Sequence, residues 1–438
     1  MSHQEPTRFP LIDGYSPSQT LLWQSGQGVT QAQLLGQAAA LAERLPAARY
    51  LINLCDTRHA FLIGFVAGLL EGRTSLLPGN RLPATVDELR RRYPDSLLLT
   101  DSDGFAGQAI RIARSEQAAA WVGACPLIDG DREAAIVFTS GSTGLPQPHL
   151  KSWRNLVMTA HFAAERLHTA GRSIVGTVPS QHMYGLETTV MPALAGRAIV
   201  ACERPLFPED LRKALETLPA PRLLVTTPVH LQAFVQSGLT YPAIERIVSA
   251  TAPLSNALCI AAEAQLGGCV EEIYGCTEAG SIATRQTRTG ELWTPYREAR
   301  VRDCDDGALV EGPHLQVAVR LSDVVQIEAD GRFRLLGRSS DMVKVAGKRA
   351  SLLDLTQKLL ALPGVEDGVI FIPHPDADIA RPAALVIAPT RTEAELLKEL
   401  ARLIDAVFLP RPLRKVDRLP RNEVGKLPRA ALLSLLGG

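Results

Sequence analysis

A run of hydroxyl-bearing residues and glycines directly follows an apolar segment in this chain. The apolar segment spans residues 134–138, and the run is Thr139-Ser140-Gly141-Ser142-Thr143-Gly144-Leu145-Pro146. A buried strand that ends in such a run presents backbone N–H groups and hydroxyl donors at one point, and a polyphosphate fits that point. The sequence therefore predicts that residues 139–144 bind the phosphates of ATP.

A surface linker is the alternative explanation for a segment rich in serine and glycine. This run is short, follows an apolar strand and ends at Leu145-Pro146, which favours the functional interpretation. The run also differs from the common phosphate loop, which needs a glycine five residues before a Gly-Lys pair. Met342 and Pro420 stand at that position before the two Gly-Lys pairs of this chain.

The strand and its T-S-G-S-T-G-L-P run resemble the phosphate loop of the adenylate-forming superfamily, which includes acyl-CoA synthetases, peptide-synthetase adenylation domains and luciferases. Further motifs of that family follow in the same order: Pro179–Gly185, Ala252–Leu254, Tyr274–Glu278, Ser322-Asp323, Gly337-Arg338, Lys344–Gly347 and Leu419–Lys426. The resemblance covers nearly the whole chain. It implies ATP-dependent activation of a carboxylic acid to an acyl-adenylate, followed by transfer to the phosphopantetheine thiol of CoA or of an acyl carrier protein.

In such a reaction a carboxylate attacks a phosphate, and both groups are anionic. The site must therefore neutralise charge on the reacting phosphate and align the carboxylate with it. By the resemblance, Glu278 is the carboxylate that holds Mg²⁺, and Thr277 contacts the α-phosphate. Lys426 matches the mobile lysine that inserts for adenylation and departs afterwards. The alternatives are a solvated loop acid for Glu278 and an ordinary surface lysine for Lys426.

The resemblance also assigns the nucleotide-binding residues. Tyr274 corresponds to the aromatic residue on the adenine, Asp323 to the aspartate on the ribose hydroxyls, and Arg338 to an arginine at the ribose or phosphate. An ordinary acid at a strand end is the alternative for Asp323, because Ser322 replaces the usual glycine. The remaining positions of this group are Ala252, Pro253 and Gly275.

The motif 179–185 predicts the type of acid. Family members that take α-amino acids hold the ammonium with an aspartate, and no aspartate occurs between Pro179 and Val190. We therefore expect an aromatic or medium-length acyl acid, with His182 and Gly185 in its pocket; a histidine merely packed in a loop is the alternative for His182. The short chain and the Q-P-H-L-K-S-W segment loosely resemble the synthetases of aryl-polyene pigment clusters.

The acceptor residues are likewise implied by the family. Lys344, Gly347, Lys348 and Arg349 correspond to the pantetheine tunnel, and Ser340 to the hinge on which the C-terminal domain turns. A basic stretch suits CoA phosphates or an acidic carrier protein, although a solvated face is its more common meaning. The basic residues of this stretch are Arg411, Arg414, Lys415, Arg418 and Arg421.

Two departures from the family motivate a different hypothesis. Gln147 replaces the usual lysine after the phosphate loop, with Lys151 as a candidate to supply the charge, and Ser340 replaces the usual hinge residue. A degenerate nucleotide-binding or scaffolding homologue is therefore the alternative function. Retention of Glu278, Asp323 and Lys426 favours the enzyme.

Composition excludes some other classes of protein. The 438 residues carry 46 basic and 46 acidic side chains, so no net field attracts nucleic acid or a membrane surface. The N-terminal segment lacks a signal-peptide pattern, and the longest apolar run, 60–70, suits a buried helix and is too short to span a bilayer. Seven cysteines without a C-x-x-C pair predict neither a zinc site nor a disulfide framework, and they suit a reducing cytoplasm.

The elements that position these residues follow from hydrophobic periodicity. Short apolar strands such as 50–54, 96–100 and 199–201 alternate with helical patterns such as 31–45 and 208–218, which predicts an α/β fold of layered sheets. The pair Asp330-Gly331 predicts a hairpin turn between 324–328 and 333–336. After residue 338 the pattern changes to about a hundred residues of mixed α+β character, the size of a small domain, in which Thr392 and Glu395 have the spacing of a helix capping box. We therefore expect a large N-terminal domain, 1–338, and a small mobile C-terminal domain, 339–438, that carries Lys426.

Overall fold

The computed structural model describes residues 8–105, 109–113, 118–140, 146–304, 307–338, 342–345, 348–374, 381–421 and 427–437. Two large sheets dominate this part of the chain. The six-stranded sheet is parallel except for its first strand, and its order is Pro146–Ser152, Glu133–Ser140, Thr74–Leu77, Tyr50–Asn53, Ser96–Thr100 and Ala109–Arg111.

The nine-stranded sheet is parallel at its centre and has antiparallel strands at both edges. Its order is Thr294–Pro295, Gly280–Arg285, Cys269–Cys276, Arg246–Ser249, Arg222–Thr226, Ser173–Gly176, Ile199–Ala201, Thr20–Gln24 and Gln27–Thr30. Parallel strands buried on both faces are typical of the layered α/β architecture that the sequence predicts. That prediction of the fold class is confirmed.

Helices connect the strands and cover the sheets. The predicted helix 31–45 is Gln31–Arg44, which begins at Thr30 with a capping box, and the predicted helix 208–218 is Pro208–Thr217. The other helices of the large domain are Arg58–Leu70, Pro83–Arg92, Trp153–Leu167, Met183–Gly185, the π-helical turn Leu186–Val190, Met191–Ala195, Pro228–Gln236 and Asn256–Leu266.

The helix Arg58–Leu70 lies at the centre of the core, as its unbroken apolar sequence predicts. All its residues except the last are buried, and it packs against strands of the six-stranded sheet. Arg58 at its first turn donates to the carbonyls of Ala201 and Gly176 in the nine-stranded sheet, at 2.7 and 2.9 Å. The largest hydrophobic cluster contains residues of both sheets and of this helix. One core therefore holds the two sheets together.

Smaller sheets complete the described structure. The predicted hairpin at Asp330-Gly331 pairs Asp323–Ile327 with Phe333–Arg338. The further small sheets consist of Arg8–Pro10 with Leu127–Asp129, Arg300–Cys304 with Gly307–Glu311 and Val319–Leu321, Met342–Val345 with Lys348–Ser351, and Asp367–Phe371 with Ala383–Ile387 and Leu413–Lys415.

The C-terminal part has its own hydrophobic clusters. They draw on the sheet 367–415 and on the helices Leu352–Leu360, Glu393–Leu400 and Arg429–Gly437, and they contain no described residue before Val343. The helix Glu393–Leu400 has the predicted capping box between Thr392 and Glu395. The large N-terminal and smaller C-terminal domains of the predicted fold are therefore present. No helix among the described residues is both long and apolar enough to cross a membrane.

Candidate active site

A cleft of about 700 Å³ lies where the carboxyl ends of parallel strands from both sheets meet. In open α/β sheets this is the edge at which ligands bind, because the loops that follow the strands converge there. Many of the predicted site residues line this cleft. They are Thr139, His182, Gly275, Thr277, Glu278 and Asp323.

The predicted phosphate run begins at the end of one strand of the six-stranded sheet. Thr139 is in the strand Glu133–Ser140, and its hydroxyl is 3.0 Å from Nε2 of His149 on the antiparallel strand Pro146–Ser152. Ser140 ends the strand. Gly141, Ser142, Thr143 and Gly144 lie outside the described residues, so their role in phosphate binding stays a prediction.

Glu278 lies on the turn that follows the strand Cys269–Cys276. Its side chain is half-exposed, and Oε1 is 3.9 Å from Nε2 of His149. Burial lowers the pKa of His149, which disfavours a charged imidazolium beside this carboxylate. A half-exposed carboxylate beside a hydroxyl-rich strand end suits a Mg²⁺ ion that also takes phosphate oxygens.

Lys151 is the candidate to supply the charge of the lysine that Gln147 replaces. It is not among the residues that line the cleft. Its side chain is 2% exposed, and Nζ donates to the backbone carbonyl of Glu278 at 2.7 Å. Gln147 is exposed on the same strand. The ammonium group of Lys151 is therefore hydrogen-bonded to the turn that carries Glu278.

Asp323 begins its strand at the rim of the cleft. Its Oδ2 accepts a hydrogen bond of 2.7 Å from the hydroxyl of Tyr274. The ring of Tyr274 is buried against Trp293 and Phe333, with centroids 5.6 and 5.5 Å away. In this structure Tyr274 supports Asp323, and its contact with adenine stays a prediction. Arg338 is the strand partner of Asp323 in the hairpin, so the two predicted ribose residues are neighbours.

The predicted positions Ala252 and Pro253 directly follow two residues that line the cleft. The lining is formed by Ala250 and Thr251 directly before them. Thr251 has φ +81°, a conformation that is strained for a β-branched residue. Its buried hydroxyl has no hydrogen-bond partner within the described chain. Strain of this kind persists where the surrounding structure imposes it, often at functional sites.

The predicted acid pocket is formed by a helical segment after the strand Ser173–Gly176. His182, Met183 and Tyr184 line the cleft, but Gly185 does not. A Cβ at Gly185 would lie 1.9 Å from the carbonyl oxygen of Pro179, so this glycine is needed for packing. Whether Gly185 also contacts the acid stays a prediction.

Glu187 is a lining residue that the sequence analysis missed. It is 4% exposed, and its carboxylate accepts hydrogen bonds from the backbone N–H and the hydroxyl of Ser281. Burial raises its pKa, while the bonds from Ser281 and the charge of Lys151 oppose that rise. The available signal was a carboxylate that is the one charged residue in the stretch 186–195, because burying such a group requires hydrogen-bonding partners.

The predicted acceptor residues lie in the C-terminal domain. Lys344 and Arg349 are strand partners in the hairpin Met342–Val345 with Lys348–Ser351, and the ammonium of Lys348 pairs with Asp405. Gly347, the hinge residue Ser340 and the mobile lysine Lys426 lie outside the described residues. Their roles stay predictions.

Three residues of the predicted basic stretch form hydrogen bonds within the C-terminal domain. Arg421 forms a bidentate pair with Asp367 at 2.7 and 2.9 Å, and Lys415 donates to the carbonyl of Arg391 at 2.6 Å. Arg414 donates to the carbonyl of Leu435. Arg411 and Arg418 are exposed. The surface that remains for an acidic partner is smaller than the sequence suggests.

The side chains that could bind a metal ion are few in the described part of the chain. The described residues contain no group of three or more His, Cys, Asp or Glu side chains that could hold an ion by themselves. All seven cysteines are free. A single carboxylate, Glu278, fits a metal that takes its other oxygen ligands from a phosphorylated ligand and from water.

The chain is similar in sequence to proteins of known function. The family described as AMP-binding enzyme matches residues 31–316. A 4-coumarate–CoA ligase of Rhodobacter capsulatus is 32% identical over 302 residues, which cover 67% of this chain and 74% of the relative.

Solved structures of similar fold match nearly the whole length of this chain. ATP-bound MatB from Rhodopseudomonas palustris has a TM-score of 0.83 at 20% identity and covers 97% of both chains. The o-succinylbenzoate–CoA synthetase MenE of Bacillus subtilis, in complex with AMP, has a TM-score of 0.81 at 19% identity and covers 97% of this chain and 98% of that one.

Proposed function

Because this chain belongs to the family of AMP-binding enzymes and is an AMP-forming acid–thiol ligase, we propose that it activates an aromatic or medium-length acyl acid with ATP and transfers it to a phosphopantetheine thiol. One observation carries the proposal. The cleft where both sheets end is lined by Thr139, Thr277, Glu278 and Asp323 together with His182. These are the groups that an adenylate-forming site requires.

The first half-reaction joins the acid to AMP. A carboxylate oxygen of the acid attacks the α-phosphorus of ATP, which forms the acyl–AMP anhydride and releases pyrophosphate. Thr139 and Thr277 supply hydroxyl donors to the phosphates, and Asp323 holds the ribose hydroxyls. Glu278 would hold Mg²⁺, which when bound neutralises phosphate charge.

The second half-reaction transfers the acyl group. The sulfur of the thiol attacks the acyl carbon, AMP leaves, and the thiol proton passes to solvent. We propose that the C-terminal domain turns at Ser340, so that Lys426 serves the first step and the loop with Lys344, Gly347, Lys348 and Arg349 serves the second. The acceptor is CoA or a carrier protein. The CoA ligase names of the relatives support CoA.

The substrate class rests on the residues after Pro179. No aspartate is present there to hold an α-ammonium group, and the carboxylate of Glu187 is bonded to Ser281. The side chains of Met183 and Tyr184 together with Ile273 give the cleft an apolar part that suits an aryl or alkyl group.

Pyrophosphate exchange with a panel of acids tests this proposal. Each α-amino acid is compared with its deaminated analogue, for example phenylalanine with 3-phenylpropionate, and aryl acids such as 4-coumarate are included. Aryl or medium acyl acids should drive exchange, and α-amino acids should not. A panel without any exchange overturns the proposed function, and preference for the α-amino acid overturns the substrate class.

Thioester formation with CoA and with a phosphopantetheinylated carrier protein then decides the acceptor. The same acyl-adenylate is offered to both thiols at equal concentration. The faster product identifies the physiological class of thiol.

A further inference from the structure

Two buried charged side chains hold the two ends of one turn in the cleft. The segment 277–281, called the turn below, joins the strand Cys269–Cys276 to the antiparallel strand Gly280–Arg285 and includes the first two residues of that second strand. Lys151 donates to the carbonyl of Glu278 near the start of this turn, at 2.7 Å. Glu187 accepts from the backbone N–H of Ser281 at its end, at 2.9 Å, and from the Ser281 hydroxyl.

The two side chains come from different parts of the core. Lys151 is on the edge strand Pro146–Ser152 of the six-stranded sheet, and Glu187 is on the π-helical turn Leu186–Val190. Their exposed fractions are 2% and 4%. Isolated charges at such depth are costly, so each needs an opposite charge and hydrogen bonds.

Electrostatic coupling links the two groups. The charge of Glu187 opposes the effect of burial, which lowers the pKa of Lys151, and the charge of Lys151 opposes the rise in the pKa of Glu187. Each group therefore favours the ionised form of the other. The backbone also allows close approach, because a Cβ at Gly280 would lie 2.4 Å from Oε1 of Glu187.

We propose that Lys151 and Glu187 are positioning residues, which together fix the turn 277–281 and thereby set the place of Thr277 and Glu278 in the cleft. Lys151 thus acts through the backbone of the turn and not as a substitute for the lysine missing at Gln147. The catalytic consequence rests on the proposed function, since it uses the role of Glu278 in the adenylation step.

Hydrogen–deuterium exchange of the ligand-free protein tests the structural part. Lys151→Met and Glu187→Gln should each speed the exchange of amides in residues 277–285 about tenfold or more, because one anchor of the turn is lost. Glu271→Gln is the matched control. Glu271 is equally buried and pairs with Arg246, but it lies at the other end of the same strand. The control should leave the exchange of 277–285 unchanged.

Kinetics test the catalytic part. Both variants should raise the Mg²⁺ concentration needed for half-maximal pyrophosphate exchange about tenfold and lower kcat, whereas Glu271→Gln should not alter the Mg²⁺ dependence. Lys151→Arg, which retains a cationic donor, should recover part of the loss. The double variant should lose less than the product of the single losses, because both anchors serve one turn.

The outcomes distinguish the structural part of the inference from its catalytic part. Unchanged amide exchange in 277–285 for both variants overturns the inference, whatever their activity. Faster amide exchange with an unchanged Mg²⁺ dependence overturns the catalytic part. If Lys151→Met does not fold, the amide exchange of Glu187→Gln alone decides the question. Absence of pyrophosphate exchange in the wild-type protein overturns the proposed function and leaves the amide-exchange test intact.

Discussion

At the scale of single residues, the two carboxylates of the cleft have different surroundings. Glu278 is half-exposed on a turn, whereas Asp323 begins a strand and is held by Tyr274. A metal-holding carboxylate acts on charge that grows toward the transition state. Contacts to ribose are made equally before and during the reaction, so they contribute to binding and not to the chemical step.

We expect Glu278→Ala to lower kcat for pyrophosphate exchange by a factor of about a hundred or more, as the loss of one preorganised charge-stabilising group does in other enzymes. Asp323→Ala should chiefly raise the KM for ATP. Steady-state kinetics with saturating Mg²⁺ measure both effects. Wild-type turnover of Glu278→Ala would contradict the assignment of the metal ligand.

At the scale of elements, the turn after the strand Arg246–Ser249 contains a strained residue. Thr251 combines φ +81° with a buried hydroxyl that has no partner in the described chain. Thr251→Gly removes both costs, although glycine loses more backbone entropy on folding. We expect the free energy of unfolding to increase by about 1 kcal/mol, measured by urea denaturation.

Thr251→Ala is the control for this prediction. It removes the unpaired hydroxyl and the β-branch but keeps a Cβ at positive φ. Its stability should lie between those of the wild-type protein and Thr251→Gly. A glycine variant less stable than the wild type would mean that the side chain makes a compensating contribution.

The C-terminal segment gives a prediction for the two half-reactions. If the domain turns, Lys426 and the loop at Gly347 each approach the substrate in only one orientation, and such steps can be separated by mutation. Lys426→Ala should slow adenylate formation about a hundredfold or more. With preformed acyl-adenylate and thiol, it should still form the thioester at nearly the normal rate.

Gly347→Leu should have the opposite effect. If Gly347 lies in the pantetheine tunnel, a large side chain there should block the approach of pantetheine and leave pyrophosphate exchange intact. Single-turnover assays of each half-reaction measure both variants. Equal loss of both half-reactions in both variants would remove the support for the turning domain.

At the scale of the whole molecule, a buried histidine makes stability depend on pH. The side chain of His314 is fully buried, its ring packs edge-on against Phe162, and neither ring nitrogen has a hydrogen-bond partner among the described residues. Burial and the nearby charge of Lys151 lower the pKa of His314 to about 4. In the unfolded chain its pKa is ~6.5.

Between these two values the unfolded chain binds more protons than the folded protein. Stability is therefore lost as the pH falls from ~6.5 toward 4, by up to about 3 kcal/mol from this residue. We expect His314→Phe to flatten the dependence of unfolding free energy on pH in that interval, measured by denaturation at several pH values. A variant with the wild-type slope would contradict this attribution.

The sequence by itself determined the class of the fold and most of the elements. Apolar strands alternate with helices as the periodicity predicts, and the hairpin at Asp330-Gly331 and the capping box at Thr392 appear where the turn residues and the spacing of Thr392 and Glu395 predict them. These features depend on local backbone preferences and on the burial of one face, so they can be read from neighbouring residues.

Motif order likewise identified residues that the cleft brings together. Thr139, His182, Thr277, Glu278 and Asp323 lie far apart in the chain and line one cleft. The contacts of individual residues within the chain were not predictable. A Cβ at Gly185 would meet the carbonyl of Pro179, Tyr274 donates to Asp323, and several cations of the basic stretch 411–421 have internal partners.

Only the tertiary structure decided which charged residues are buried and what they hold. Lys151 and Glu187 are distant from the turn 277–281 in sequence, and nothing in their local patterns indicates contact with it. Burial of a charge depends on partners supplied by other elements, which local sequence does not specify. The long-range contacts between the two sheets therefore determined how the turn with Thr277 and Glu278 is held.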